Sequence, residues 1–470
     1  MQYPAYSKTG KNRMLNSFLS IRFLLSQNIV VPLQPLNLHA VMKKFYLLTL
    51  LLLSFMSIYA AEGDTIKITF NGTGANVDKP TSAKVTSSVN GAYVTLRSST
   101  TDEEYVYDVY GSTTAGSLTI VGSYKLTLRL NGVDITSGKG AAIDVGCGKR
   151  IAVELAEGSV NTLTDYAKGT QKAAFYTTGH PEFSGAGTLN VTGNVKHAIS
   201  AKEYLQIKKT VGTINVLSAV SDGIHCGKGK EANENNYFQM NGGTLNISNV
   251  GGDCIDSDDY GTVLIKGGTL NLTVSADDVD GIKADSTLTI LNGDININVT
   301  GKGSSGIKTN WLAYIPGGNI TVDVTGDGSK GIRAKQQTAK TVNNGGSVTF
   351  SDSTDVKITA SGASIYDTTG DETKCMGMSI DADLLHTGGS VYILAKGDNA
   401  YTYQVKGSES TTIGFRAEYE KETSVAEIPA ATGDGTVGIF SVSGTPRSSL
   451  QRGINIIKKL GEPASKIIIR

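Results

Sequence analysis

Between Gly187 and Gly346 the chain keeps returning to one short motif, a glycine followed by a small polar residue and two apolar residues in alternation. The copies are GTLNV at Gly187, GTINV at Gly212, GTLNI at Gly243, GTLNL at Gly268, GDINI at Gly293, GNITV at Gly318 and GSVTF at Gly346, with successive glycines 25, 31, 25, 25, 25 and 28 residues apart. A second marker, a DGI, GIK or GIR tripeptide or its variant, keeps nearly the same beat and supplies Ile224, Ile255, Ile282, Ile307 and Ile332. A third apolar pair falls between the two, as in Leu205 with Ile207, Phe238 with Met240, Val263 with Ile265 and Leu288 with Ile290. Each period therefore holds three short strands.

A fixed period of 20 to 50 residues signals a solenoid, and an apolar period of two inside each unit, rich in Val, Ile and Thr, makes the units strands. Three strands joined by Gly, Asn and Asp corners form one coil of a parallel β-helix, single-stranded, with about 25 residues per coil. Successive coils stack roughly 4.8 Å apart. One coil cannot bury its inner face alone, so stacking supplies the core and yields one long domain. Gly accounts for 56 of 470 residues and Pro for 9, which gives turns without frequent breaks in the ladders. Lys plus Arg equals Asp plus Glu at 43 each, so net charge offers no hint of a nucleic-acid partner.

Residues 1–41 carry no periodic signal and read as an over-extended start, with Met42 the initiator. The segment 42–61, MKKFYLLTLLLLSFMSIYAA, has basic Lys43 and Lys44, an apolar core too short to span a bilayer comfortably, and Ala60 and Ala61 as a small-residue cleavage zone. That is the pattern of a secretory signal peptide. The β-helix is expected over 62–408, its opening strands in TIKITF, YVTLRS and YKLTLRLNGVDI being less regular, as terminal repeats are. Beyond Arg333 the period stretches around an insertion, KQQTAKTVNN, and a loop at Asp367 to Lys374. Residues 409–436 hold a last strand or a linker, and 437–470 a separate C-terminal segment. Cys147, Cys226, Cys254 and Cys375 are far apart and are expected as free, packed thiols. Alternation from the neighbouring Ile turns Cys226 inward and Cys254 outward.

Aligning the coils on the inward Ile places His225, Asp256, Lys283, Lys308 and Arg333 in one outward column. Two residues before the Ile stand Asp222, Asp253 and Asp280, then Ser305 and Lys330; the loops add Asp258, Asp259, Asp277 and Asp278. Two unit charges about 5 Å apart repel by roughly 3 kcal/mol at an effective dielectric near 20, so this density calls for neutralisation. Calcium, which takes six to eight oxygen ligands, is the apt partner, with Asp222, Asp253, Asp256, Asp258, Asp259, Asp277, Asp278 and Asp280 as candidate ligands. Solvated turn aspartates, with Lys283 paired to Asp256, are the alternative. Lys283, Lys308 and Arg333 continue the column as cations one coil apart, spaced to meet a chain of carboxylates. Gly223, Gly281, Gly306 and Gly331 before each Ile are expected to leave that face shallow. Trp311, Tyr314 and Tyr260 lie in nearby loops as candidates to stack on sugar faces or simply to pack.

The block from Tyr124 to Leu163, with LNGVDIT, GAAI and LAEGSVNTL in that order, followed by GTLNVTG and the stacked rungs, resembles a family of bacterial secreted β-helix proteins described as carbohydrate-binding. The resemblance spans roughly Thr65 to Lys406. It implies a right-handed parallel β-helix, like that of a family of pectate lyases, that binds calcium and acidic or cellulosic plant polysaccharide without cleaving it. In the lyases that it resembles, a lysine serves as base in calcium-assisted β-elimination. Lys283 is the candidate here, although neighbouring carboxylates raise a lysine's pKa and suit it better to an ion pair. A third reading is a structural surface adhesin, which needs neither calcium nor uronate.

The tail VGIFSVSGTPRSSLQRGINIIKKLGEPASKIIIR resembles the C-terminal sorting domain of Bacteroidetes proteins exported by the type IX system. The resemblance implies a small C-terminal β-sandwich recognised by that machinery, and a secreted protein that is extracellular or held at the outer cell surface.

Overall fold

The computed structural model describes residues 64–227, 236–339, 342–397, 399–420, 438–441, 446–447, 453–458 and 465–469. The leader 1–41, the signal segment 42–61 and most of the expected linker, 421–436, lie outside the described residues. Among the described residues regular structure is all strand, and no helix is long and apolar enough to cross a membrane.

One coil shows how the sequence builds the whole. Asp280–Ala284, Thr287–Ile290 and Asp294–Val299 are its three strands, and the next coil repeats them as Ser305–Thr309, Leu312–Ile315 and Asn319–Val324. All three pairs are parallel, with Ile282 opposite Ile307, Leu288 opposite Ala313 and Ile295 opposite Ile320. Ile282, Leu288, Ile290 and Ile295 have no exposed surface, so each period-two apolar residue stands inward on its predecessor. Repetition of this step gives a parallel β-helix with three strand columns. The column of GI strands is a 13-stranded sheet of its own. The other two merge into a 24-stranded sheet, because the long strand Leu126–Thr136 pairs with Arg150–Leu155 by its first half and with Val160–Thr164 by its last residues.

The irregular N-terminal strands close one end. Thr65–Asn71 pairs antiparallel with Ala75–Asp78, and Val85–Asn90 antiparallel with Tyr93–Ser98. These hairpins replace parallel edges that would otherwise remain open. At the other end Phe415–Glu420 pairs with Ser390–Lys396 in the last coil. The insertion after Arg333 includes the short strands Gln337–Ala339 and Val342–Asn344, and the loop near Asp367 is a hairpin of Ile365–Tyr366 with Glu372–Thr373. From the third copy on, the glycine that opens the motif has a reason in the backbone: Gly243, Gly268, Gly293 and Gly318 turn the corner at φ of 77, 99, 122 and 92°. Behind it, the motif's asparagines form an outer ladder in which Asn215, Asn246, Asn271 and Asn296 each donate to the preceding amide oxygen at 2.8–3.0 Å.

Two expectations are corrected. All four cysteines are free and buried, but Cys254 points inward, its Sγ 3.6 Å from the Thr273 carbonyl oxygen. The glycines at the equivalent position do not open the outer face either. A Cβ on Gly281 would stand 3.1 Å from Ile297 Cγ2 and 3.2 Å from Val274 Cγ2, and one on Gly306 2.7 Å from Val322 Cγ1. Strict alternation fails at this corner because the third column's apolar side chains reach beneath the start of the GI strand.

The C-terminal strands Gly438–Phe440, Pro446–Arg447, Gly453–Lys458 and Ser465–Ile469 form a single antiparallel sheet. A second sheet facing it, which a sandwich requires, is not among the described residues.

Candidate functional site

The outer face of the 13-stranded sheet carries the charged columns, and its parallel register sets them in rows. His225 lies opposite Asp256, Asp256 opposite Lys283, Lys283 opposite Lys308 and Lys308 opposite Arg333. Asp280, Ser305 and Lys330 form the adjoining column in the same register. Read coil by coil, the rows are Asp222 with His225; Asp253, Asp256 and Asp258; Asp280, Lys283 and Asp285; Ser305, Lys308 and Asn310; and Lys330, Arg333 and Lys335. Three coil steps, roughly 14 Å, separate a row of carboxylates from a row of cations.

The buried carboxylates first serve the stack itself. Asp222 Oδ1 accepts the Asp253 N–H at 3.0 Å, and Asp253 Oδ1 accepts the Asp280 N–H at 2.7 Å. Each thus caps the backbone of the following coil. Their free oxygens meet cations supplied by the chain. His225 Nδ1 lies 2.9 Å from Asp256 Oδ2 and 3.3 Å from Asp222 Oδ2. Lys283 Nζ lies 3.0 Å from Asp256 Oδ1 and 3.5 Å from Asp253 Oδ2, and Lys308 Nζ 2.7 Å from Asp280 Oδ2. Much of the neutralisation that this density of carboxylates calls for is therefore provided by side chains.

The titrating groups show where compensation is incomplete. Burial and the charges of Asp280 and Asp256 lift Asp253 to about 7 despite Lys283. Burial and the neighbouring Asp258 carboxylate raise Asp285 while Asp258 is lowered, so the two carboxyls titrate as a pair. Burial works against a charged His225, but the carboxylates of Asp222 and Asp256 outweigh it and hold its pKa near 9. The same contest raises Lys283, where Asp256 and Asp253 outweigh burial. Its ammonium is held charged, which suits an ion pair and not a base. Lys330 goes the other way: burial and Arg333 lower it to about 8, and its Nζ donates to the Gly328 carbonyl at 2.5 Å.

Carboxylate oxygens that could hold a cation gather here. Asp222, Asp253 and Asp256 each offer a ligand atom within 4.8 Å of the others, and His225, Asp256 and Asp258 form a second such group. Asp253, half-buried and under-compensated, is the feature of this set that fits a cation. Asp259, Asp277 and Asp278 are not brought into these groups. Asp259 and Asp278 are exposed corner residues at φ of 53 and 58°, and Asp277 Oδ1 accepts the Lys302 N–H at 2.8 Å, shaping the next turn. Tyr260 and Trp311 both follow GI strands and flank the face, 70% and 41% exposed. Tyr314 lies on the neighbouring column between Thr289 and Thr349, away from the charged rows.

Sequence reasoning passed over His197, Asp285 and Lys335. His197 occupies the Asp222 column one coil earlier, in a copy, HAIS, that lacks the DGI marker. Asp285 and Lys335 stand three residues after their Ile, a third outward position that the same alignment contains.

A model of the family described as "Carbohydrate-binding domain-containing protein" matches residues 90–356. Among solved structures the chain is similar to "Structure of the polysaccharide lyase-like protein from C. thermocellum, Gadolinium derivative", at 23% identity and a TM-score of 0.43, over 53% of this chain and 96% of that one. No curated protein matches.

Proposed function

The chain belongs to the family of carbohydrate-binding domain-containing proteins, and from that premise we propose that the charged face binds an acidic, uronate-rich polysaccharide of the pectin type, with calcium and without cleaving it. The observation that carries this reading is the order of charge along the stack, carboxylate rows giving way to cation rows at one-coil spacing on one sheet face. A polymer laid along the axis meets Lys283, Lys308 and Arg333 in turn. Arg333 offers a fork to a carboxylate, and Lys330 and Lys335 add charge beside it. At the acidic rows Asp222, Asp253 and Asp256 would hold calcium, which supplies the positive charge that lets polymer carboxylates approach. Tyr260 and Trp311 border the path as stacking surfaces.

The lyase alternative requires an uncharged amine near the sugar. The paired Lys283 does not provide one; Lys330, lowered to about 8, is the amine that this reading favours. The adhesin alternative requires no calcium. We further propose that the 42–61 signal segment exports the chain and that the type IX machinery reads 437–470, leaving the protein extracellular or at the outer cell surface.

The test is binding of the mature chain, from residue 62, to polygalacturonate in calcium and in chelator, while unsaturated uronate ends are followed by absorbance. Calcium-dependent binding without product, weakened by Arg333→Ala and by Asp253→Asn, is the expected result. Product formation abolished by Lys330→Met establishes a lyase, and absence of calcium-dependent binding leaves the adhesin.

A further inference from the structure

We propose that the outer face carries a site for a tetrahedral oxyanion, a sulfate or phosphate ester borne on a glycan, where the ladder of internal ion pairs breaks off between Ser305 and Arg333. The inference rests on the reading of this face as a glycan path and names a second anionic group that its cation row selects.

The ladder follows a rule. A side chain two residues before one inward Ile reaches the side chain one residue after the next Ile, one coil on. Asp253 Oδ2 lies 3.5 Å from Lys283 Nζ in this way, and Asp280 Oδ2 lies 2.7 Å from Lys308 Nζ. The register carries the same step forward: Ser305 follows Asp280 in one column, and Arg333 follows Lys308 in the other. The chain thus gives Lys283 and Lys308 a carboxylate each but gives Arg333 a serine. Among the described residues Arg333 forms no salt bridge. Asp381, a carboxylate on the following coil that feels its charge, is taken by Lys406 Nζ at 2.7 Å and by the Gln336 N–H at 3.2 Å.

Ser305 provides an independent sign. It is 0% exposed, and its Oγ has no hydrogen-bond partner. Buried hydroxyls are normally bonded, and this one stands where the two preceding coils present a carboxylate oxygen.

The row around Arg333 is short of negative charge as well. Lys330 is 6% exposed and gives one N–H to the Gly328 carbonyl, and Lys335 stands two residues after Arg333 on the same side of the strand. Both are held below the ordinary lysine range, Lys330 by burial and then Arg333, Lys335 by Arg333 and then burial. A carboxylate supplies two oxygens in one plane, which the Arg333 fork takes up by itself. A sulfate or phosphate ester supplies three oxygens in a tripod: two meet the fork, and the third is left for an ammonium or for the Ser305 hydroxyl. A phosphate ester also brings up to about two negative charges to a row of cations.

The experiment measures binding of the full mature chain, in chelator, to dextran sulfate, phosphorylated dextran and carboxymethyl-dextran of matched charge density by biolayer interferometry. Polygalacturonate in calcium is read in parallel, so either reading can fail alone. At least one ester polymer should bind about 10-fold or more tightly than the carboxymethyl polymer, and the tighter ester names the group. Arg333→Lys keeps the charge, removes the fork and should weaken ester binding by about 10-fold. Ser305→Asp supplies the missing carboxylate, pairs Arg333 from within and should abolish ester binding. Equal affinity for the three polymers, ester binding untouched by Arg333→Lys, or wild-type ester binding in Ser305→Asp would each overturn the proposal. Arg333 is partly exposed, so Arg333→Lys decides the question even where Ser305→Asp fails to fold.

Discussion

Replacing Lys283 by methionine tests the electrostatic account of the face directly. Its ammonium stands 3.0 Å from Asp256 and 3.5 Å from Asp253, with the lysine side chain 23% exposed and the carboxylates 5% and 13%. At an effective dielectric near 20 each contact represents about 5 kcal/mol of gross attraction, most of it offset by desolvation. Removing one member of a buried pair generally costs about 3–5 kcal/mol. Partial exposure lowers the expectation to about 2–3 kcal/mol at pH 8 in chelator. The effect depends on pH in a definite direction. Asp253 has a folded pKa of about 7 against an ordinary 3.8, so the folded form holds its proton longer and stability falls as pH rises between those values. Loss of Lys283 lifts that pKa further and extends the fall to higher pH. At pH 5 Asp253 is neutral in either protein, and the cost should shrink to about 1–2 kcal/mol. Urea unfolding followed by fluorescence of Trp311, the chain's single tryptophan, provides the assay. Exposed Lys302→Met is the control. Equal midpoints for Lys283→Met and Lys302→Met at pH 8, or a larger loss at pH 5 than at pH 8, would refute the reasoning.

His225, held near 9 against an ordinary 6.5, contributes stability that is complete below about 6.5 and lost as pH rises to about 9; His225→Gln should flatten that segment of the pH–stability curve in chelator by about 2–3 kcal/mol. Gly306→Ala places a Cβ 2.7 Å from the Gly331 carbonyl oxygen and should cost about 1–3 kcal/mol, whereas Gly146→Ala, with nothing nearer than 3.6 Å, should stay within about 0.5 kcal/mol by thermal unfolding. Asn246→Ala removes two amide contacts of 2.8 Å from the middle of the outer ladder and should lower the urea midpoint by the equivalent of about 1–2 kcal/mol.

The stack was legible because each coil states its register independently: Ile224, Ile255, Ile282, Ile307 and Ile332 pair in the order that the glycine-marked period assigns. From that register the columns from His225 to Arg333 and from Asp222 to Lys330 followed. What alternation could not show was the corner at Cys254 and Gly281, where apolar residues from another column undercut the strand. Nor could it show that Asp222 and Asp253 accept the next coil's N–H groups, since that depends on side-chain reach. The neutralising role of His225 was likewise hidden, because a histidine's charge is decided by the two carboxylates that flank it in space.

The two hairpins after Arg333 illustrate a further property of this architecture. Extra chain enters at a corner, yet Lys330–Ala334 still pairs with Cys375–Ile380 and Leu312–Ile315 still pairs with Ser347–Phe350. Vertical registration therefore resides in the strands and is indifferent to what the corners carry. Excision of a whole coil, residues 281–305, would set the Asp253 row against the Lys308 row and leave the ladders continuous. Distance between opposite charges on such a surface is thus quantised, adjustable by deletion or duplication in steps of one coil, with the rest of the molecule serving as an unchanged ruler.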